Sequence, residues 1–253
     1  MTSSILVTGG TGTLGRHVTP LLLDAGCKVR VLSRRSREHK DGFEFVTGDL
    51  LKDEGIEPAV DGAEIVLHLA GGPKGDDEAT RNLVRVAARA GVQHLVCISV
   101  IAADRVPIGY FRSKLGAERA VAESGLPWTT LRAAQFHDLV LTVLQKMAKL
   151  PLLPVPGGVR LQPVDSRDVA ARLVELTLDE PAGLVPDLAG PNVHRMADLI
   201  RGYLRARGKH RLTMPVRVPG KAGRVYRAGE NLSLEGADVG TRTWEDFLAE
   251  RLP

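Results

Sequence analysis

Tyr110 and Lys114 stand four residues apart in the run Tyr110-Phe111-Arg112-Ser113-Lys114. On a helix that spacing puts both side chains on one face. A phenol with a pKa of about 10 is a poor acid at neutral pH. A neighbouring ammonium stabilises the phenolate and lowers that pKa, so such a pair can both give and take a proton. A second chemistry-bearing run lies near the start, Val7-Thr8-Gly9-Gly10-Thr11-Gly12-Thr13-Leu14-Gly15. It includes the end of the apolar Ile5-Leu6-Val7 and leads into residues 16–23, which have a helical apolar rhythm. Between a strand and a helix, such glycines bind a pyrophosphate. Gly9 allows a tight turn, Gly12 lets the backbone approach the phosphates, and Gly15 lets the helix pack close to the strand. Thr11, Thr13 and Leu14 complete the loop, and the free amides at the helix start face the anion.

Leu32-Ser33-Arg34-Arg35 closes the next apolar run. A carboxylate here would hold the adenosine ribose hydroxyls of NAD, and none is present. Ser33, Arg34 and Arg35 stand there instead, with Arg37 and Lys40 following in the same loop. Guanidinium groups can take a 2′-phosphate in forked geometry, which favours NADP(H). The bland alternative is a set of solvated arginines.

The glycines run Gly-x-x-Gly-x-x-Gly, not Gly-x-Gly-x-x-Gly. With this spacing the chain resembles the short-chain dehydrogenase/reductase superfamily, in its extended and atypical branches (NmrA-like and NAD(P)H-quinone-reductase-like proteins). The resemblance runs from the first strand to about Asp168. It implies that Tyr110 and Lys114 are the proton-handling pair, with Lys114 also reaching the nicotinamide ribose, and that Ser99 positions the acceptor oxygen. It places Asp49 and Leu50, in Thr47-Gly48-Asp49-Leu50, beside the adenine; Asp49 reads equally as a turn former. It passes Ala70 and Gly71 under the cofactor, and sets Gln135 and Phe136 at the nicotinamide and substrate. His68 reads as a core-edge histidine, and Asp165 and Asp168 as helix caps.

These residues need a frame. Apolar runs at residues 29–32, 43–46, 65–69, 94–98 and 128–132 read as strands that follow the first. Helical patterns lie between them, clearest at 78–90 and 111–123, with Gly91 and Gly125 as C-terminal caps. Further helices are expected at 137–150, 166–178 and 196–207, and one opened by a capping box at Thr243. Residues 219–241 are poor in apolar side chains and read as a long loop or short hairpin. The expected fold is α/β, a doubly wound parallel (Rossmann) sheet with a small C-terminal substrate lobe. Residues 1–136 form the dinucleotide-binding core. Residues 137–253 complete the sheet and form the lobe, within one structural domain.

The chain has 253 residues, 43% of them apolar, and a net charge of +4. The basic residues are dispersed, without the interleaved aromatics of a nucleic-acid surface. Two cysteines, Cys27 and Cys97, imply no disulfide framework. The seven histidines show no metal-ligand spacing, so no metal is expected. No signal segment and no apolar run of about 20 residues is seen, so a cytoplasmic protein without membrane contact is expected. The function read from these features is an NADP(H)-dependent oxidoreductase. It would move hydride to or from a carbonyl, quinone or related small-molecule acceptor. Two alternatives stand beside it. One is a non-catalytic NADP(H)-binding regulator, against which Tyr110 counts. The other is an epimerase, dehydratase or isomerase that keeps its nicotinamide bound. The residues name neither the acceptor nor the oligomeric state.

Overall fold

The computed structural model describes residues 3–36, 42–72 and 74–252. Arg37 and Lys40 lie outside them. In chain order the first elements are β1 (Ser4–Thr8), α1 (Gly15–Asp24), β2 (Lys28–Ser33), β3 (Glu44–Thr47), α2 (Ile56–Val60) and β4 (Ile65–His68). Then come α3 (Asp76–Arg89), β5 (His94–Val100), α4 (Gly109–Ala122), β6 (Trp128–Ala133), α5 (His137–Met147), β7 (Leu153–Pro156) and β8 (Arg160–Leu161). After these follow α6 (Ser166–Leu178), β9 (Gly183–Leu184), β10 (Leu188–Ala189), β11 (His194–Arg195) and α7 (Met196–Ala206). The chain closes with β12 (Thr213–Val216), α8 (Gly220–Ala228), β13 (Asp238–Val239) and α9 (Trp244–Arg251). Two compact units form: Met1–Ser99 with Gly109–Arg132 and Val169–Val185, and Val100–Ile108 with Ala133–Asp168 and Pro186–Pro253.

In the first unit the strand order is β6-β5-β4-β1-β2-β3. The β1–β2, β1–β4, β2–β3 and β4–β5 pairings are parallel. This is the doubly wound order, and it reverses between β1 and β4, where ligands bind at the carboxyl ends of such strands. All seven residues of β5 are buried, as a strand covered on both faces requires. Leu83, Val84 and Ala87 of α3 pack in one core with Leu6, Val66 and Leu95 of the sheet. Asp76, Asp77 and Glu78 open α3 and Arg89 lies in its last turn, in the sense the helix dipole favours. Gly91 (φ +73°) and Gly125 (φ +76°) take the left-handed conformation expected of caps.

The second unit has its own core, in which Leu144 of α5 and Leu199 of α7 meet Trp244 and Phe247 of α9. The capping box that opens α9 is present: Thr243 Oγ1 accepts from Asp246 N at 3.1 Å, and Asp246 Oδ2 accepts from Thr243 N at 3.2 Å. Asp165 caps as expected, its Oδ1 accepting from Arg167 N at 2.8 Å. Asp168 instead binds Thr241 N and Arg242 N, at 2.8 and 3.0 Å. Residues 219–241 are not the expected loop, because α8 lies within them. Its few apolar residues and two glycines disguise a helix that is amphipathic. A close backbone approach seats it instead: a Cβ on Gly223 would stand 2.0 Å from Val218 O. Among the described residues no helix is long and apolar enough to cross a membrane.

Candidate active site

The glycine turn leaves β1 at Thr8. Gly9 has φ +71°, and a Cβ on it would stand 2.6 Å from Ala70 N, so the position takes only glycine. The close packing expected of Gly15 is divided between two residues. A Cβ on Gly15 would meet Gly10 Cα at 2.3 Å, and one on Gly10 would meet Val31 Cγ1 of β2 at 2.7 Å. Gly15 therefore seats α1 on the turn, while Gly10, which sequence reasoning passed over, seats the turn on the strand. Gly12 N donates to Gly9 O at 2.9 Å. The start of α1 has no side-chain cap and no acidic residue, so its positive end is left for an anion.

A cavity of about 440 Å³ lies in the first unit against this turn. Gly9, Thr11 and Gly12 line it from the turn, Ser33 and Arg34 from the end of β2, Asp49 and Leu50 after β3, and Ala70 and Gly71 after β4. Thr13, Leu14 and Gly15 carry the turn into α1 and, like the exposed Arg35, are not among the residues that line the cavity. Ser33 Oγ donates to Arg35 O at 2.9 Å and fixes this corner. Asp49 is the turn former that one of its two readings expected. It lines the cavity, and its Oδ1 accepts from Leu51 N at 3.0 Å to make a turn.

A buried polar chain supports the cavity floor. Thr80 Oγ1 donates to Asp76 O at 2.6 Å, which spends its only proton. It must therefore accept from His68 Nε2, 3.0 Å away. His68 Nδ1 is then an acceptor, and it takes the Thr8 hydroxyl proton at 2.7 Å. Ala70 N closes the chain by donating to Thr8 Oγ1 at 3.2 Å. Burial, helped by the Lys114 charge, lowers the His68 pKa to about 3. His68 is thus a neutral framework residue that holds the Ala70 backbone, as its reading from sequence implied.

Tyr110 and Lys114 both lie on α4, one turn apart. Lys114 Nζ forms an ion pair with Asp76 Oδ2 at 2.9 Å, and both side chains are nearly buried. Asp76 Oδ1 accepts from Gly72 N at 2.6 Å. A Cβ on Gly71 would stand 2.8 Å from Lys114 Nζ, so the glycine makes room for the ammonium at the cavity wall. Burial works to lower the Lys114 pKa, but Asp76 outweighs it and the net shift is upward. The expected lowering of the Tyr110 pKa does not follow. Burial raises it, Lys114 opposes, Asp76 reinforces burial, and the net direction is upward. The ammonium is already matched by a carboxylate, so its field at the phenol is weakened.

Other residues of α4 fix this arrangement. Ser113 Oγ accepts from Asp76 N at 3.0 Å and donates to Asp77 Oδ1 at 3.0 Å, capping α3 from the neighbouring helix. A Cβ on Gly116 would stand 2.7 Å from Asp77 Cβ, so this glycine permits the close approach of α3 and α4. Glu118 accepts two hydrogen bonds from the Arg132 guanidinium, at 2.9 and 2.7 Å, tying α4 to β6. Sequence reasoning missed Asp76, Ser113 and Gly116 as parts of the site. The acidic run 76–78 was the visible trace of Asp76, and it reads by itself as a helix start. Ser99 lies buried near the end of β5, its Oγ without a hydrogen-bond partner. Gln135 and Phe136 belong to the second unit. Phe136 O accepts from Val140 N at the start of α5, and Gln135 lines a separate cavity of about 260 Å³.

Known proteins share this frame. A (4-alkanoyl-5-oxo-2,5-dihydrofuran-3-yl)methyl phosphate reductase of Streptomyces griseus subsp. griseus is 34% identical over 173 residues, 66% of this chain and 60% of that protein. A ceramide reductase of Caulobacter vibrioides is 30% identical over 199 residues, 72% of this chain and 63% of that protein. The matched stretch thus spans about three fifths of these relatives. The NADPH-dependent quinone oxidoreductase QOR2 of Escherichia coli, in complex with NADPH, has the same fold. Its TM-score is 0.83 over 98% of this chain and 99% of that one, at 19% identity. Residues 9–180 match the family described as NAD(P)H-binding. That is more than half of the chain, which belongs to this NAD(P)H-binding family.

Proposed function

We propose that the protein is an NADP(H)-dependent reductase of a carbonyl, quinone or related small-molecule acceptor. The observation that carries this reading is the buried Asp76–Lys114 pair beside Gly71, with Tyr110 one turn away on the same helix. The cavity fits a dinucleotide. Gly9 and Gly12 form a cradle that a Cβ on Gly9 would close, the start of α1 is free for the pyrophosphate, and no carboxylate stands at the end of β2. Arg34 would hold a 2′-phosphate, and Lys114 would hold the ribose next to the nicotinamide.

The bound cofactor supplies the hydride. Tyr110, 36% exposed, has its pKa raised by partial burial and by Asp76, so it stands as a neutral phenol able to give a proton. It donates its proton to the oxygen of the reduced acceptor. The partner-free Ser99 hydroxyl donates a hydrogen bond to the same oxygen and orients it. Asp76 holds Lys114 in place and keeps the phenol protonated. The relatives named as reductases support this direction.

The test is NADPH oxidation with a panel of neutral aldehydes, ketones and quinones, alongside cofactor titrations of wild type and Arg34→Ala. Turnover with at least one acceptor is expected, with NADPH bound more tightly than NADH. Arg34→Ala should lose about 1.5–3 kcal/mol of NADPH affinity and little for NADH. Equal affinity for both cofactors in the wild type contradicts the NADP(H) assignment. A nicotinamide that co-purifies and does not exchange contradicts net reduction.

A further inference from the structure

The basic residues, which read as dispersed in the sequence, are concentrated in the second unit. Residues 199–229 carry nine lysines or arginines and no aspartate or glutamate, and residues 139–164 carry three and none. The whole chain nets only +4, so the rest of it is net acidic. Both basic stretches feed one small sheet, the parallel pair β7–β12, in which Leu153 stands opposite Thr213 and Pro154 opposite Met214. Parallel strands begin at the same end. The segments that enter them, Lys149-Leu150-Pro151-Leu152 and Lys209-His210-Arg211-Leu212, therefore lie side by side, joined where Leu153 N donates to Leu212 O at 2.9 Å. Side chains alternate across a strand. Leu153 is buried in the core of this unit and Val155 packs against that core, so Leu152 and Pro154 face away from it. Leu212 and Met214 share this outward face. Leu150, Leu152 and Met214 are exposed, and Leu212, at 77%, is the most exposed large apolar side chain among the described residues. Lys149, Lys209, Arg211 and Arg217 flank the strand ends, are exposed, and form no ion pair among the described residues.

An exposed apolar cluster with a polar rim marks a surface that meets a partner. The ribbon's edges exclude an added strand. Leu153 N and Gly157 N donate inward to β12, so Pro154 and Pro156 fall on the outer edge of β7 and offer it no N–H. Leu212 O and Val216 O accept inward, so Pro215 does the same to the outer edge of β12. A second copy of the chain would set these unpaired cations against their like. Nucleic acid would engage the cations but gain little from aliphatic side chains. No phenylalanine, tyrosine or tryptophan of this unit is exposed for base stacking, among the described residues. An anionic bilayer answers both features, since its acyl region takes aliphatic side chains and its headgroups take cations. We propose that the β7–β12 ribbon docks on an anionic bilayer surface. Leu152, Leu212 and Met214 sit among the acyl chains, with Lys149, Lys209, Arg211 and Arg217 on the headgroup phosphates. The contact is peripheral, in keeping with the lack of a membrane-crossing helix among the described residues. The expectation of no membrane contact rested on the missing long apolar run, and a docking face needs none. This proposal is independent of the reductase reading.

The experiment is flotation of the full chain with two kinds of vesicle, phosphatidylcholine alone and phosphatidylcholine with one quarter phosphatidylglycerol. Binding to the anionic vesicles should be at least about tenfold tighter than to the neutral ones. Each cation near such a surface is worth about fivefold in affinity, so Lys209→Glu with Arg211→Glu should weaken binding at least about tenfold. Raising the salt from about 0.1 M to about 1 M shortens the Debye length from about 10 Å to about 3 Å and should weaken it as well. Leu212→Ser with Met214→Ser leaves the charge unchanged and should still weaken anionic binding at least about fivefold. Both positions are exposed, so this variant keeps its fold. The indole of Leu212→Trp should be quenched by lipid brominated in its acyl chains. The proposal is overturned by no binding to anionic vesicles, or by equal binding to both kinds. It is overturned equally by undiminished binding of the serine pair, which would leave only a general attraction between charges. A single-stranded oligonucleotide that binds more tightly than the anionic vesicles, and displaces the chain from them, would assign the cations to nucleic acid and overturn it too. The wild-type comparisons decide the matter whatever the charge-reversed variant does.

Discussion

At the scale of single residues, Asp76 changes what the tyrosine–lysine pair can do. The pair alone suggests a phenol poised to lose its proton. Burial raises the phenol above its ordinary pKa, and Asp76, 2.9 Å from Lys114, reinforces that rise. Turnover of such an acid falls as pH rises through the Tyr110 pKa. Asp76→Asn removes the carboxylate that raises this pKa and frees Lys114 to lower it. The alkaline limb of the kcat–pH profile should therefore move to lower pH. An unmoved limb would remove Asp76 from this role. His68 offers a second test, of stability. Its pKa is about 3 in the fold, against about 6.5 unfolded, so the unfolded chain binds the extra proton. The stabilising effect is complete above pH about 6.5 and is lost as pH falls towards 3. At pH 4.5 this amounts to about 2–3 kcal/mol. His68→Gln cannot titrate and should show a correspondingly smaller loss between pH 7 and pH 4.5 in urea unfolding. Equal losses in both proteins would contradict the buried neutral imidazole. Tyr110 and Lys114 were legible because four residues make one helical turn. Asp76 was not, because its partner lies on another helix and no local spacing encodes that contact.

At the scale of elements, α3 and α4 form the part that aligns the site. Ser113 caps α3 from α4, Gly116 lets the helices touch, and Glu118 anchors α4 to β6. Two of these three lie just past the tyrosine–lysine pair, so one helix carries both the proposed proton donor and the residues that align it. Gly116→Ala places a methyl 2.7 Å from Asp77 Cβ and must push the helices apart. It should cost about 1–3 kcal/mol by chemical denaturation. Turnover should fall more than the folded fraction does, because Asp76 and Lys114 sit on opposite sides of that contact. A stable variant with full turnover would contradict the alignment role. The strands and longer helices were legible as apolar runs and periods, to within a few residues. α8 was not, because it is short and poor in apolar residues, although amphipathic. The short pairs β7–β12 and β8–β11 hold only a few residues each, too few to show a period.

At the scale of the whole molecule, the order β6-β5-β4-β1-β2-β3 brings the ends of β1, β2 and β4 to one cavity. Residues distant in sequence, from Gly9 to Asp76, thereby share about 440 Å³. The alternation of strands and helices made this order legible, since few connections of parallel strands are possible. Division into two units follows a different logic. Residues 169–185 return to the first unit after the chain has entered the second, a long-range choice that no local pattern announces. The central claim is that these parts make a reductase whose proton comes from Tyr110. The direct measurement is single-turnover NADPH oxidation with a neutral ketone or aldehyde, wild type against Tyr110→Phe, with NADPH affinity measured in parallel. A quinone is a weaker acceptor for this purpose, because water can supply its proton. Loss of one oxygen should lower the rate by roughly 10²–10⁴-fold and leave NADPH affinity within about twofold. An unchanged rate in Tyr110→Phe would contradict the account and leave the protein either a proton-independent hydride donor or a binding protein.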